Sequence, residues 1–580
     1  MKKNIKSFAL FSLLTITSLS LVACGSEDQN FYMANYDSYI SSDLLSGLQN
    51  DNFYSSTIND KNVRINNFRY RTYATNEDLE RNFSTNYDLA VPTTYLAANL
   101  ANEGKLSVID WSKFGLYKID SNGKQSNDLI QNAVDALTLF TPHVRAELVS
   151  FNLTKAFQRD KISLNNQKAG LLNYCVPYFL QDLIFGYKDN KSISFESDSN
   201  YWNNIIQKLI NSINSNDITK TAIVEDYATI YGIGRTIQTS NLTSNAGKPV
   251  DSSGNYENSL VSETATHSQE DFAKTYNEIF KNLNKKNAFY LNSDSNNILN
   301  DFASPVGSQA VISYNGDLLF SFQGGDNYGL DTTSEKTINE SMPTFKEWLS
   351  NNINENSQTL KLNIEKPTAS QIYLDVMVLN KDRIEKYNHQ DEAYAILKKV
   401  GLEGSDQTLY TYDETNASKI NGYDENSITA VDEEENYSNG PMLNFSYVQY
   451  SSPLLTLNAY ALNSASSSML QTIKTESENA KTFYESKYPN LANTDMDLWK
   501  SLWDQGSDGY FTSEYSVIEQ NDDNENGFLS SDMYKQYIDK LTSIYNISEY
   551  ANPNFLGRNL SDLNKSNMYY AFSQVKYNQL

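Results

Sequence analysis

The N-terminal part of the chain shows a regular succession of strand-like and helix-like patterns. Apolar and polar residues alternate in residues 62–70 (NVRINNFRY) and 87–91 (YDLAV), as they do in strands with one buried face. Residues 76–82 have the polar start of a helix, and residues 95–102 (YLAANLAN) have helical spacing before the Glu103-Gly104 stop. This βαβα succession predicts an α/β layered fold.

Similar patterns continue along the chain, with two interruptions. Later strands are predicted at residues 178–187, 310–314, 320–323 and 373–379. The interruptions are residues 239–270, rich in Ser, Asn, Thr and Gly, and residues 401–440, which contain the acidic run DEEE. Because neither has the apolar periodicity needed to pack, both are predicted to be surface insertions or loops.

The N-terminal residues are typical of an export signal. Lys2, Lys3 and Lys6 precede an apolar run at residues 8–21 that is short for a membrane-spanning helix. The run ends at Leu-Val-Ala-Cys, which resembles the bacterial lipobox, in which the cysteine receives a lipid after cleavage. Residues 1–23 are therefore predicted to be a lipoprotein signal peptide, Cys24 the lipidation site, and residues 24–30 a tether on the outer face of the cell membrane.

Charge and residue types narrow the possible functions. The 580 residues carry 46 basic and 71 acidic side chains, so the net charge of −25 repels nucleic-acid phosphates and no nucleic-acid partner is expected. The chain has three His and two Cys, which are too few to favour a zinc site or a disulfide framework. Cys175 is therefore predicted to be a small buried residue. No phosphate-binding motif or nucleophile elbow is present. The sequence predicts a protein that is not an enzyme and has no metal or cofactor.

A series of short motifs occurs in the order found in one family. The motifs are NYDSYI at residues 35–40, YDLAVPTTY at 87–95, EGKL at 103–106, CVPY at 175–178, EDY at 225–227, YNG at 314–316, YLD at 373–375 and YVQYSSP at 447–453. This series resembles the spermidine/putrescine-binding proteins of bacterial ABC polyamine importers, over about residues 31–455.

The resemblance implies a two-lobed α/β fold of the type 2 periplasmic-binding-protein kind, with a cleft between the lobes and a C-terminal helical extension. Lobe 1 is expected to comprise residues 31–177 and 378–447, lobe 2 residues 178–377 and 448–490, and the extension residues 491–580. Open α/β sheets bind ligands at the carboxyl ends of their strands, so two such edges facing each other form the cleft.

The resemblance also implies a ligand site made of carboxylates and aromatic rings. Carried over by position, Asp226 and Asp375 would pair with ammonium groups, and Thr93 would add a hydroxyl group. The rings that would cover methylene groups and attract the cations are Tyr36, Tyr39, Tyr95, Tyr314 and Tyr373, and Asp37 lies beside them in the first motif. The chain has tyrosines where the family usually has tryptophans, and Thr229 where a second carboxylate often stands. The length of the preferred ligand therefore stays open.

These features predict a lipid-anchored, extracytoplasmic substrate-binding protein that captures a polyamine, spermidine or putrescine, and delivers it to an ABC permease with a cytoplasmic ATPase. Two alternatives stay open. One is the same fold with another cationic nutrient, and the other is a surface adhesin or structural lipoprotein with a vestigial cleft. An extracellular hydrolase would have to use a carboxylate pair, because the chain lacks a His-based triad.

Two similar segments near the C-terminus resemble calcium loops in part. Residues 504–514 and 522–532 each have oxygen-bearing residues at positions one and five, then Gly, and an acid at position eleven. An EF-hand loop needs a bidentate Glu at position twelve, where Tyr515 and Met533 stand. A turn followed by a Ser/Thr helix cap is therefore favoured, and calcium binding stays an alternative.

Overall fold

A computed structural model gives the fold of the chain. It describes residues 30–120, 124–151, 153–188, 202–240, 267–283, 288–293, 295–304, 306–318, 353–354, 359–360, 362–367, 373–407, 440–448, 450–457 and 562–579. Several sequence predictions lie outside these residues. They are the signal peptide and Cys24, the strand at 320–323, residues 241–266 and 408–439 of the two interruptions, and the segments at 504–514 and 522–532.

Strands and helices alternate along the described residues. The strands are β1 (Phe31–Tyr36), β2 (Ser55–Ile58), β3 (Lys61–Arg64), β4 (Phe68–Tyr73), β5 (Leu89–Ala90), β6 (Tyr117–Ile119), β7 (Gln125–Leu129), β8 (Cys175–Gln181), β9 (Leu183–Lys188), β10 (Thr221–Val224), β11 (Phe289–Asn292), β12 (Ala310–Tyr314), β13 (Ile353–Asn354), β14 (Thr359–Leu360), β15 (Leu362–Glu365) and β16 (Tyr373–Leu379). The helices are α1 (Ser42–Gln49), α2 (Asn76–Asn86), α3 (Thr94–Asn102), α4 (Ala133–Ala136), α5 (Pro142–Ser150), α6 (Thr154–Arg159), α7 (Leu164–Gln167), α8 (Trp202–Asn214), α9 (Tyr227–Ser240), α10 (Gln269–Leu283), α11 (Ser295–Ala303), α12 (Lys381–Tyr387), α13 (Gln390–Leu397), α14 (Gly440–Val448) and α15 (Asp562–Gln579).

Lobe 1 is built around the five-stranded sheet β4-β1-β5-β16-β8. Strands β4, β1 and β5 are parallel, and β16 runs antiparallel to both of its neighbours, β5 and β8. Every residue of β8 (CVPYFLQ) and β16 (YLDVMVL) is buried, and such nearly continuous apolar runs are typical of a sheet covered on both faces. Side chains from α1 to α6 and from α12 to α14 complete the core of this lobe.

Lobe 2 is built around a second sheet, β11-β10-β12-β9-β15. Strands β11, β10 and β12 are parallel, and β9 runs antiparallel to β12 and β15. The helix α8 (WNNIIQKLINSIN) has a buried face that includes Ile205, Leu209 and Ile213, as its amphipathic sequence predicts. Helices α9, α10 and α15 contribute to the same core.

The two sheets share one construction. Each has three parallel strands, then an antiparallel strand that has just crossed from the other lobe, and then a strand at the edge. In lobe 2 the crossing strand is β9, which follows Asp182, and in lobe 1 it is β16, which follows β15. This exchange of strands is the construction of type 2 periplasmic binding proteins. The two-lobed α/β fold expected from the sequence is therefore confirmed.

Two segments expected to be single strands are each broken in two. Residues 62–70 contain parts of β3 and β4, which are separated by a turn in which Asn67 has a φ of 51°. Residues 178–187 contain parts of β8 and β9, because the chain changes sheets at Asp182. Both sides of that change are apolar and buried, so the local pattern does not reveal it. The single-strand predictions are wrong at both places.

The structure divides the chain between the lobes differently from the expected boundaries. Lobe 1 continues to Gln181 and resumes at Tyr373, because β8 and β16 both belong to its sheet. Residues 450–457 also contact lobe 1, where Leu454 and Leu457 are buried in the core. In the C-terminal extension, the described helix α15 packs into the core of lobe 2.

Two smaller features bear on the sequence predictions. Cys175 in β8 is buried, as expected, and burial raises the pKa of its thiol well above the usual value. The helices that the structure describes include none long and apolar enough to cross a membrane.

Candidate functional site

Asp375 lies near the start of β16, just after the chain has returned from lobe 2. Its side chain is 2 % exposed. Its Oδ2 accepts hydrogen bonds from the Tyr39 hydroxyl at 2.6 Å and from the Gln181 side-chain amide at 2.5 Å. Burial raises the pKa of Asp375 to about 7, although both hydrogen bonds oppose this rise. The carboxyl group therefore changes its charge near neutral pH.

The backbone of β16 is irregular at this residue. The register between β16 and β8 shifts between Asp375 and Val376, and Asp375 forms an isolated antiparallel bridge with Thr93. Irregularities of this kind re-aim a side chain. A carboxyl group is thereby accommodated in a strand whose other residues are mostly apolar.

Tyr39 is the centre of an aromatic cluster around Asp375. It is 7 % exposed, and its ring centroid lies 5.6 Å from Tyr36, 5.2 Å from Phe179 and 5.3 Å from Tyr450. All three pairs are edge-on, an arrangement in which the positive edge of one ring meets the negative face of the other. These contacts hold the Tyr39 hydroxyl group against the carboxylate.

Tyr36 extends this cluster at the carboxyl end of β1. Its ring lies 4.6 Å from that of Tyr73, whose hydroxyl donates to the Val91 carbonyl at 2.5 Å. Burial raises the pKa of both tyrosines well above the usual value, and the charge of Asp375 adds to the effect. Both rings therefore stay neutral at physiological pH.

A second group of the predicted residues lies on the lobe 2 side of the junction. Asp226 caps α9, because its Oδ1 accepts the Thr229 N–H at 2.6 Å. The Thr229 hydroxyl lies 2.9 Å from the Tyr314 hydroxyl, and the Tyr314 ring packs edge-on against Tyr373 at 5.4 Å. The Tyr373 hydroxyl is buried and has no hydrogen-bond partner among the described residues.

Electrostatic effects connect the two groups. Burial raises the pKa of Tyr314 well above the usual value, with further contributions from the charges of Asp226 and Asp375. Burial also raises the pKa of Asp226; the Thr229 N–H opposes this rise, and the charge of Glu77 adds to it. Tyr314 therefore lies within electrostatic reach of both aspartates.

Glu77 and Tyr95 form the rim of this junction between the lobes. Glu77 stands in the first turn of α2 in lobe 1 and accepts a hydrogen bond from the Tyr227 hydroxyl of lobe 2 at 3.2 Å. Tyr95 is partly buried in the first turn of α3. Burial raises its pKa well above the usual value, and the charges of Tyr227 and Asp226 raise it further. The rim thus has contacts from both lobes.

Most of the residues singled out from the sequence lie at this junction. They are Tyr36, Tyr39, Thr93, Tyr95, Asp226, Tyr314, Tyr373 and Asp375. Thr93 contributes a backbone bridge to Asp375 and a hydroxyl oxygen that is buried without a partner among the described residues. Asp37, in contrast, is exposed in the turn after β1.

Sequence reasoning missed Gln181, Tyr73, Tyr450 and Glu77. Gln181 carries a usable signal, since it is a polar residue that ends a buried apolar run just before the crossing. Tyr450 belongs to the YVQYSSP motif, but its contact with Tyr39 joins residues that are far apart in the chain. Glu77 carries no signal, because acids are common in the first turn of a helix.

The YNG motif has a packing role at Gly316. A Cβ atom there would lie 2.3 Å from the Tyr450 ring. The Tyr450 hydroxyl donates to Asp317 Oδ1 at 2.5 Å, and the Asn315 amide donates to the Ser451 hydroxyl at 2.9 Å. The residues just after β12 are thereby packed tightly against residues 450–457 beside the crossing.

The site offers carboxylates, hydroxyl groups and ring faces. Within the part of the chain that the structure describes, no group of three or more His, Cys, Asp and Glu side chains could hold a metal ion. Rings attract cations over their faces and also cover apolar atoms. The arrangement can therefore contact both charged and apolar parts of a ligand.

One protein family matches nearly the whole chain. Its model, that of the hypothetical lipoproteins of the MG045 family, covers residues 1–578. The chain belongs to this lipoprotein family. No curated protein matches this lipoprotein.

Solved structures similar to this lipoprotein include a substrate-binding protein, another lipoprotein and a receptor. The spermidine/putrescine ABC transporter substrate-binding protein of Streptococcus pneumoniae is 15 % identical, with a TM-score of 0.36, and 89 % of this chain and 99 % of that chain are covered. The Tp0655 lipoprotein of Treponema pallidum is 14 % identical, with a TM-score of 0.35 and coverages of 65 % and 83 %. The GacH receptor of Streptomyces glaucescens, solved also with acarbose, is 10 % identical, with a TM-score of 0.37 and coverages of 94 % and 98 %. Similarities this low carry no argument about the ligand.

Proposed function

We propose that this lipoprotein is an extracytoplasmic substrate-binding protein, held on the outer face of the cell membrane by a lipid on Cys24. It binds a polyamine between its lobes and delivers it to an ABC permease and its cytoplasmic ATPase, without a catalytic step of its own. The observation that carries the proposal is the buried Asp375 in a cluster of tyrosine rings where the two lobes meet. Membership of a lipoprotein family supports the location.

A cation is the ligand that this carboxyl group favours. Burial disfavours the charged form of Asp375, and a positive group beside it would restore that form. The faces of Tyr36 and Tyr39 would each attract the cation by about 0.5 to 2 kcal/mol, depending on desolvation. The same rings would cover the methylene groups that separate the nitrogens of a polyamine. An uncharged sugar would leave Asp375 without this compensation.

A second ammonium position is supported at the rim. Burial raises the pKa of Asp226, and Glu77 lies close enough for its charge to add to this rise. Glu77 thus offers a carboxylate that the chain lacks at Thr229, whose hydroxyl contacts Tyr314 instead. Because Glu77 and Asp226 belong to opposite lobes, a cation between them would offset their repulsion and favour closure.

The test is a calorimetric and thermal-shift titration with putrescine, cadaverine, spermidine and spermine, with maltose as an uncharged comparison. A ligand at about one hundred times its dissociation constant should stabilise the folded protein by about 2.7 kcal/mol. Asp375→Asn should weaken the binding of the preferred polyamine, whereas Asp37→Asn, at the exposed position, should leave it unchanged. The protein is first unfolded and refolded to remove carried-over ligand. If it then binds maltose, or binds none of the four amines, the polyamine assignment is wrong.

A further inference from the structure

The C-terminal helix α15 is attached firmly to lobe 2. Its buried residues Met568, Ala571, Phe572 and Val575 have helical spacing and lie in the lobe 2 core. The Phe572 ring lies 5.3 Å from Tyr276 and 6.2 Å from Phe280, both on α10. This apolar face makes α15 move with lobe 2.

Polar contacts fix the beginning of the same helix. The His267 N–H donates to Asn564 Oδ1 at 3.0 Å, and the Asn567 amide donates to the His267 carbonyl at 2.8 Å. Asn564 is fully buried. The first turn of α15, which contains Lys565, is therefore held in one position on lobe 2.

From this position α15 reaches lobe 1. The Lys565 Nζ lies 3.6 Å from Glu80 Oε1 on α2, and both side chains are partly exposed. One turn earlier on α2, Glu77 accepts the Tyr227 hydroxyl. The Tyr227 ring packs edge-on against Tyr569 of α15, with 5.9 Å between centroids. Two successive turns of α2 are thus held from the lobe 2 side, and α15 takes part in both contacts.

We propose that α15 is a latch that holds the lobes together through α2, with Lys565 and Glu80 as the pair that breaks when the lobes separate. The inference goes beyond the proposed function, because it assigns a role to the C-terminal helix that needs no ligand. A partly exposed ion pair is a weak contact. Such a pair shifts the balance between open and closed forms without preventing opening.

The test is the distance between the lobes in the absence of added ligand. The full chain carrying Cys24→Ser would be studied in detergent, with spin labels on Ser84→Cys in α2 and Glu278→Cys in α10. Both positions are exposed, and Cys175 is buried and escapes labelling. Lys565→Glu (K565E) places a negative charge beside Glu80 and should lower the ratio of closed to open protein by about three- to tenfold.

Two further variants test whether the effect of K565E comes from the Lys565–Glu80 pair. Lys274→Glu makes the same charge change on α10, where Lys274 pairs with Asp271 of its own helix at 3.3 Å, and should leave the distances unchanged. Combining K565E with Glu80→Lys restores an ion pair of opposite orientation and should restore the closed population. The effect of K565E should shrink in about 0.5 M salt. Distances in K565E equal to those of the wild type, a wild type that is open throughout, or no rescue by the double variant would each overturn the proposal.

Discussion

An Asp375→Asn variant (D375N) should lose a pH dependence of stability that the wild-type protein has. Burial raises the pKa of Asp375 to about 7, against 3.8 for the ordinary side chain. The folded protein therefore binds more protons than the unfolded chain between about pH 4 and 7, and its free energy of unfolding falls as the pH rises through this range. At about 1.4 kcal/mol for each pH unit, the full loss is about 4 kcal/mol.

Urea unfolding followed by circular dichroism at pH 5 and pH 8 measures this effect. About 2.5 kcal/mol of the loss falls between these two values. Asparagine has no proton to release, so the unfolding free energy of D375N minus that of the wild type should grow by about 2.5 kcal/mol from pH 5 to pH 8. A cost that does not depend on pH, such as altered hydrogen bonds from Tyr39 and Gln181, cancels in this comparison.

Asp37→Asn is the matched control, because Asp37 is an exposed carboxylate directly after β1, next to Tyr36 of the cluster. The unfolding free energy of Asp37→Asn minus that of the wild type should change by less than about 0.5 kcal/mol between pH 5 and pH 8. If the unfolding free energy of D375N minus that of the wild type is equally independent of pH, Asp375 is already charged in the folded protein at neutral pH. No cation would then be needed to compensate its burial.

Two further results are expected. A polyamine that pairs with Asp375 should bind about tenfold more tightly at pH 8 than at pH 6 in calorimetry, because the carboxyl group must first lose its proton, and D375N should lose this dependence. Phe572→Ala should lower the unfolding free energy by about 3 to 5 kcal/mol, because the ring is 4 % exposed in the lobe 2 core. Tyr570→Ala, at a residue 56 % exposed on the same helix, should change it by less than about 0.5 kcal/mol, and equal effects would contradict the placement of α15.

Local patterns predict the elements of this chain better than their partners. The strands at 310–314 and 373–379 are confirmed with those bounds, and α2 begins at Asn76 as its polar start indicates. What the patterns do not contain is the change of sheet at Asp182. Two buried strands in succession have the same apolar composition whether they form one strand or belong to two lobes.

The candidate site also combines residues that the sequence identifies with residues that only the structure identifies. The sequence leads to Asp375 through the YLD motif of the family resemblance, and the structure places its carboxyl group in the buried and otherwise apolar strand YLDVMVL. Its hydrogen-bond donors, Tyr39 and Gln181, come from positions 336 and 194 residues away, which no spacing argument connects. Glu77 becomes visible only when the lobes are placed together, because α2 and α9 then face each other.

The strand exchange between the lobes has a consequence for how the chain folds. In the lobe 1 sheet, Val378 of β16 pairs with Ala90 of β5 on one side and with Cys175 of β8 on the other. This sheet therefore cannot be completed until the chain has been made beyond residue 379, whereas the strands of the lobe 2 sheet come from one stretch, 183–365. Pairings between distant residues form slowly, and domains usually fold in the order in which they are synthesised. Here the N-terminal lobe has to wait for the lobe that follows it, and until then β5 and β8 lack the strand β16 that lies between them.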